Sequence, residues 1–236
     1  MKIHPDWKIK EEVINENIKT MFKNPPSYFR KRLEKIGFFG KDKIMLDAGC
    51  GAGYWSIAGT YLNKKVYGID ITPKYLAYAK ILKSRFKKRN LGLILGKIEK
   101  LPYENNFFDY IISYSVWMFT DKNQSLKEFY RVLKPGGKLY LGSITGPAWY
   151  PGLIIKGLKL GRRELIISGF ISIFRGLPLS TKKTGQILER NNFQVLEIAG
   201  DGEIGEQKIK VKPILPAKFL GFWNIYEILA IKKLDN

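Results

Sequence analysis

One cysteine and one histidine are all that 236 residues contain of either type. Cys50 alone cannot close an internal disulfide, so the chain is not built as an oxidised, stapled fold. With His4 as the only imidazole, a His-rich zinc site, a Cys–His dyad and a Ser–His–Asp triad are all poorly supplied. Long apolar runs are also missing. The longest stretch without a charge, the 17 residues between Lys138 and Lys156, is broken by Pro147 and Pro151, whereas a membrane-spanning helix needs about 20 apolar residues. The opening MKIHPDWKIK has no apolar segment of the kind a secretory leader carries, and a cytoplasmic location is expected.

Acidic residues are scarce as well. Asp and Glu number 21 against 41 Lys and Arg, giving a net charge of +20. Such a balance suits an anionic metabolite, an anionic lipid surface, an acidic protein or nucleic acid, and does not choose among them. A generally lysine-rich composition accounts for the same total with no specific partner. What is present in quantity is apolar material, 45% of the chain, enough at this length for the core of one α/β domain. Nothing in the sequence sets the oligomeric state.

From Lys43 to Ile144, short apolar runs alternate with helix-length amphipathic segments, the pattern of βαβ units in a parallel sheet. Strands are expected at Lys43–Asp47, Lys65–Ile69, Gly92–Leu95, Asp109–Ser113 and Lys138–Ile144. Helices are expected between them at Tyr54–Leu62, Pro73–Arg89 and Asn123–Leu133, with another before the first strand at Ser27–Ile36. A capped helix at Ser180–Asn191 leads into a strand at Phe193–Ala199, and a last strand at Ile225–Lys233 returns beside it, antiparallel. The chain thus divides into an N-terminal helical cap (1–42), a core (43–145), an insertion (146–179) and a C-terminal helix with two strands (180–236). The insertion is rich in Gly, Pro, aromatic and basic residues, and it follows the fifth strand, where the carboxyl ends of a parallel sheet open onto a ligand. It is expected to be a helical lid.

The segment LDAGCGAGYW places Gly49, Gly51 and Gly53 directly after a strand ending in Asp47. Glycines belong where the backbone turns sharply and a ligand must come close. A dinucleotide fingerprint would need glycine at position 54, where this chain has Tyr54. At the tip of the second strand, Asp70 stands about 20 residues beyond the loop, where a carboxylate can accept both hydroxyls of a ribose; it can equally cap the helix that begins at Pro73. Three landmarks follow in order: GKIEKLP at Gly96–Pro102, FFDYIIS at Phe107–Ser113 and LKPGGKLYL at Leu133–Leu141.

With these motifs the chain resembles the class I S-adenosylmethionine-dependent methyltransferases, within them the type 11 group that includes the ubiquinone and menaquinone biosynthesis methyltransferases. The resemblance is close over Ile44–Ile144 and continues less specifically through VLEIAG and YEILAIKK. It implies a doubly wound, Rossmann-like α/β fold with a mostly parallel seven-stranded sheet and a closing antiparallel hairpin. It further implies that Asp47, Ala48, Gly49, Cys50, Gly51 and Gly53 wrap the methionine and ribose of S-adenosylmethionine, and that Asp70, with Ile71 beside it, holds the ribose. The adenine contacts fall to Ile98 and Glu99, because Lys97 stands where many members carry an aspartate. Ser113 and Tyr114 are expected beside the methyl donor, with Trp117 one turn away; Trp117 suits core packing equally. Asn24–Ser27 resembles an N-P-P-aromatic loop, but it stands before the first strand rather than after the fourth, and a Pro-Pro helix entry accounts for it.

The implied reaction moves a methyl group from S-adenosylmethionine to a small-molecule or lipid-like acceptor, leaving S-adenosylhomocysteine. Alignment supplies most of the rate in such a displacement. A base, where the acceptor needs one, would come from His4, Tyr114, Asp121, Glu203 or Glu206. No metal is expected, since the motifs hold no matched cluster of ligands. Trp7, Tyr28 and Phe29, before the first strand, are expected to close over the methionine end. Two other functions compete: an RNA or protein methyltransferase using the basic surface, with its run Lys83, Arg85, Lys87, Lys88, Arg89, or a non-catalytic nucleic-acid-binding module on the same fold. Lys156, Lys159 and Arg163 fall on one helical face of the insertion, and Ile166, Ile167, Phe170 and Phe174 on another stripe, a pattern that fits an anionic membrane surface as well as a lid.

Overall fold

A computed structural model describes residues 21–205, 209–214, 217–219 and 221–234. The expected βαβ rhythm forms a doubly wound sheet. The strands are β1 (Gly40–Ala48), β2 (Asn63–Asp70), β3 (Leu91–Leu95), β4 (Phe108–Tyr114), β5 (Leu133–Thr145) and β6 (Phe193–Gly200). Two short strands follow, β7 (Lys218–Phe219) and β8 (Phe222–Trp223), and the last is β9 (Ile225–Lys232). The main sheet has the order β3-β2-β1-β4-β5-β9-β6. Its first five members are parallel, and β9 runs antiparallel to both neighbours, as the C-terminal pattern predicts. β7 and β8 pair only with each other.

The helices are α1 (Pro26–Lys35), α2 (Tyr54–Gly59), α3 (Pro73–Arg85), α4 (Lys122–Val132), α5 (Trp149–Leu160), α6 (Arg163–Phe174) and α7 (Thr181–Arg190). Two apolar cores cover the two faces of the sheet. Phe29 and Leu33 of α1, Trp55 and Ile57 of α2 and Leu82 of α3 fill one; Leu126 and Phe129 of α4 and Leu188 of α7 fill the other. Strand order reverses between β1 and β4, and in a parallel sheet this is where side chains diverge and a crevice opens at the carboxyl ends.

Several boundaries differ from the sequence reading. α3 stops at Arg85 because Lys87 turns left-handed (φ +51°), which lets the Lys88 N–H return to the Lys83 carbonyl at 2.9 Å. β5 begins at Leu133, which pairs with Phe108, so the Pro-Gly-Gly run continues the strand rather than preceding it. The insertion folds as two helices, α5 and α6, separated at Gly161 (φ +64°).

Candidate active site

The glycine loop is held by its own backbone. Gly49 N–H and Cys50 N–H both donate to the Ile69 carbonyl, at 2.8 and 2.9 Å, tying the exit of β1 to the end of β2. Gly49 and Gly53 adopt φ of +81° and +85°, a region L side chains rarely enter. A side chain at 49 would meet Val116 at 2.5 Å and one at 53 would meet Ala79 of α3 at 2.9 Å. Gly51 has open space instead, with no atom within 4 Å of where a Cβ would stand.

Asp70 ties the glycine loop to the end of β2. Its Oδ2 accepts from Gly51 N–H and its Oδ1 from Thr72 N–H, each at 2.8 Å, so one carboxylate orients the loop and the entry to α3. Of the two roles that the sequence left open for Asp70, the helix cap is not taken: Thr72 is the N-cap of α3, and Asp70 bonds its N–H rather than one in the first turn, which leaves Asp70 lining the cleft. Gly49, Asp70, Ile71, Gly96, Lys97, Ile98 and Glu99, with the exit of β4, line a cleft of about 260 Å³. The exit of β4 contributes Ser115, Val116, Phe119 and Thr120, none of which the sequence had singled out. Ser115 is left-handed (φ +59°), an uncommon conformation for a non-glycine residue and one that clusters at binding sites.

Asp47 lies beneath the loop, buried, and accepts from the Ser56 hydroxyl at 2.6 Å. Burial pushes its carboxyl up to about 7; the Ser56 bond opposes this and the nearby Asp70 charge adds to it. Cys50 is buried and its thiol is pushed up by burial, so it is no nucleophile. Ala48 belongs to the core. Ser113 is fully buried and its Oγ finds no hydrogen-bond partner.

Other expected site residues stand elsewhere. Trp117 is buried in the apolar core, its indole N–H donating to the Lys122 carbonyl at 3.3 Å, and it does not line the cleft. Asp121 caps α4, accepting from Asn123 and Gln124 N–H. Tyr28 donates to the Lys212 carbonyl at 2.7 Å, tying α1 to the segment after β6, and Phe29 packs on Tyr54 and Trp55. Glu203 accepts from Gly200 N–H. His4, Trp7 and Glu206 lie outside the described residues.

Tyr114 ends β4 against a buried polar cluster that no local pattern announces. Its hydroxyl donates to Asp201 at 3.2 Å, and burial holds it well above the ordinary tyrosine range, which makes it a poor base. Arg32 of α1 donates to the same Asp201 oxygen at 2.9 Å, to the Tyr140 hydroxyl at 2.7 Å and to Glu227. Its guanidinium also lies 5.3 Å from the ring centres of Trp55 and Tyr114. Two buried carboxylates against one buried guanidinium are tolerable only because every member is hydrogen-bonded.

Against this geometry, the family model described as "Methyltransferase domain" matches residues 39–192. The chain belongs to the methyltransferase domain family. This bears out the resemblance read from the motifs, and the matched span runs from β1 through α7. The demethylmenaquinone methyltransferase of Oceanobacillus iheyensis is 40% identical over 98 residues, 40% of this chain and 41% of that one. The malonyl-[acyl-carrier protein] O-methyltransferase of Yersinia pestis is 32% identical over 126 residues, 50% of this chain and 45% of that one. The chain thus spans less than half the length of these curated relatives. Among solved structures, the geranyl diphosphate C-methyltransferase of Streptomyces coelicolor A3(2) superposes with a TM-score of 0.65 at 12% identity, covering 91% of this chain and 81% of that one, a likeness of fold.

Proposed function

We propose that the protein is an S-adenosylmethionine-dependent methyltransferase acting on a small-molecule or lipid-like acceptor. The observation that carries the reading is the bond from Gly51 N–H to Asp70, which fixes a glycine loop and an acidic strand tip together beside one cleft. The residues suit the cofactor. Asp70 can accept ribose hydroxyls, the open position at Gly51 admits the methionine end, and Ile71, Ile98 and Glu99 line the end suited to adenine. Bound there, the cofactor supplies an electrophilic methyl on a sulfonium with a neutral thioether leaving group.

The chain's own contribution is alignment and exclusion of water. Trp55 and Tyr114 pack in the buried core with their rings 5.1 Å apart and Tyr54 beside them, and hold α2 against β4 under the loop. The relatives named for demethylmenaquinone and malonyl-[acyl-carrier protein] act on acceptors of low molecular weight or on an acyl carrier, and support the same class. The hairpin α5–α6 follows the carboxyl end of β5, on the edge where the cleft opens, and none of its residues lines the cleft. The basic run Lys80, Lys83, Lys87, Lys88, Arg89 gathers at the far end of α3, a 13-residue helix about 20 Å long that starts at the cleft, so a polynucleotide lying there is not thereby presented to the cofactor.

Incubating the protein with methyl-labelled S-adenosylmethionine and a lipid extract tests the reading. Label is expected in the organic phase, and its absence there together with transfer to added RNA or protein would replace the acceptor class.

A further inference from the structure

Residues 149–174 form a helical hairpin whose two helices meet at glycines. A Cβ at Gly157 would stand 2.7 Å from Ile166 Cγ1, and one at Gly169 would stand 2.5 Å from Ile154 Cγ1, so α5 and α6 press together through their smallest residues. The larger apolar side chains are left outside. Leu158 is 66% exposed and Phe174 88%, and Leu160, Ile167 and Phe170 are also exposed. Among the described residues, the second helix has substantial packing only against the first. Beside them, the β7–β8 turn reaches Gly152 of α5 with Phe219 and exposes Phe222 by 68%. A soluble surface does not ordinarily gather so many large apolar side chains in one place.

The charge around this patch is of one sign. Lys156, Lys159, Arg162, Arg163 and Arg175 are exposed, and the only acid between Trp149 and Arg175 is Glu164, which Arg162 engages at 2.6 Å. We infer that the α5–α6 hairpin and the β7–β8 turn dock the protein on the surface of an anionic lipid bilayer. The apolar side chains enter the boundary between headgroups and acyl chains, and the basic ones meet lipid phosphates. A second copy of the chain is a poorer occupant, since symmetric pairing would set these basic residues against one another. Among the described residues no helix is long and apolar enough to cross a membrane, so the helices lie in the interface. The docking stands on this surface alone. Its consequence, delivery of an acceptor dissolved in the bilayer to a cleft on the same edge of the sheet, rests on the proposed activity.

Flotation of the full chain with vesicles of equal parts phosphatidylcholine and phosphatidylglycerol tests the docking. Binding is expected at low salt and not to phosphatidylcholine alone. Lys156→Gln, Lys159→Gln, Arg162→Gln and Arg163→Gln together should weaken binding by about a hundredfold or more. Leu158→Ser with Phe170→Ser and Phe174→Ser, all at exposed positions, should do so by at least about tenfold. Failure of the wild type to bind, equal binding by the variants, or a dimer in sedimentation that the serine variant disperses would overturn the inference. Affinity for S-adenosylhomocysteine should be unchanged in both variants, and its absence in every form would count against the methyltransferase reading without touching the docking.

Discussion

At the scale of single residues, Asp47 is a buried carboxylate held well above its ordinary range by burial. Its native carboxyl titrates at about 7, against about 3.9 for an aspartate in an unfolded chain. Between those values the native state keeps a proton the unfolded state has released, so stability falls as pH rises from about 4 to about 7 and levels off above. Asp47→Asn removes the titration while its amide oxygen can still accept from Ser56. In denaturant titrations the variant should gain on the wild type by roughly 2–4 kcal/mol between pH 5 and pH 8. A difference that stays flat across that range would show that Asp47 is ionised throughout. Asp47 and Asp70 were legible in the sequence because each ends an apolar run at a fixed distance from the glycines. Arg32 was not. Its partners, at positions 140, 201 and 227, are more than a hundred residues away along the chain, and on α1 it reads as one more charge in RKRLEK.

Between elements, the contact of Gly49 with Val116 couples the β1 exit to the β4 exit. Gly49→Ala meets two costs, a left-handed backbone and a Cβ 2.5 Å from both Val116 methyl carbons, together roughly 2–4 kcal/mol. Val116→Ala relieves part of the second, removing both methyls but leaving its own Cβ 2.8 Å away. The double variant should therefore be more stable than the sum of the single effects by about 1 kcal/mol or more, and strict additivity in thermal unfolding would show that the two exits are not in contact. The same elements mark how far sequence reading reached. Strand and helix order was legible because apolar period and glycine spacing are local signals, and the antiparallel return of β9 followed from the closing motifs. The split of the insertion at Gly161 was not legible, since its glycines weaken a helical pattern equally at 157, 161 and 169. Only packing decides that Gly157 and Gly169 lie between helices while Gly161 turns left-handed. Likewise Trp117 stood one turn from the end of β4, but the short 3₁₀ turn Trp117–Phe119 directs its indole into the core and brings Phe119 to the cleft.

For the whole molecule, two of the places where basic residues gather differ in geometry. One, at the far end of α3, is polar and shallow, with Lys88 lying over the Tyr61 ring at 3.1 Å. The other surrounds exposed apolar helices on the edge of the sheet where the cleft opens. Composition alone could not separate these, because a total charge carries no position. In the fold, the loop, the acidic strand tip, the cleft and the start of the helical hairpin all gather at the carboxyl ends of the parallel strands. The account stands or falls on whether that edge binds the cofactor through Asp70. Calorimetry of the full chain with S-adenosylhomocysteine measures this directly, alongside Asp70→Ala checked for folding by circular dichroism. The account predicts one-to-one binding by the wild type and an affinity about ten- to a hundred-fold lower in the variant; no binding by the wild type, or equal affinity in a folded Asp70→Ala variant, would contradict it.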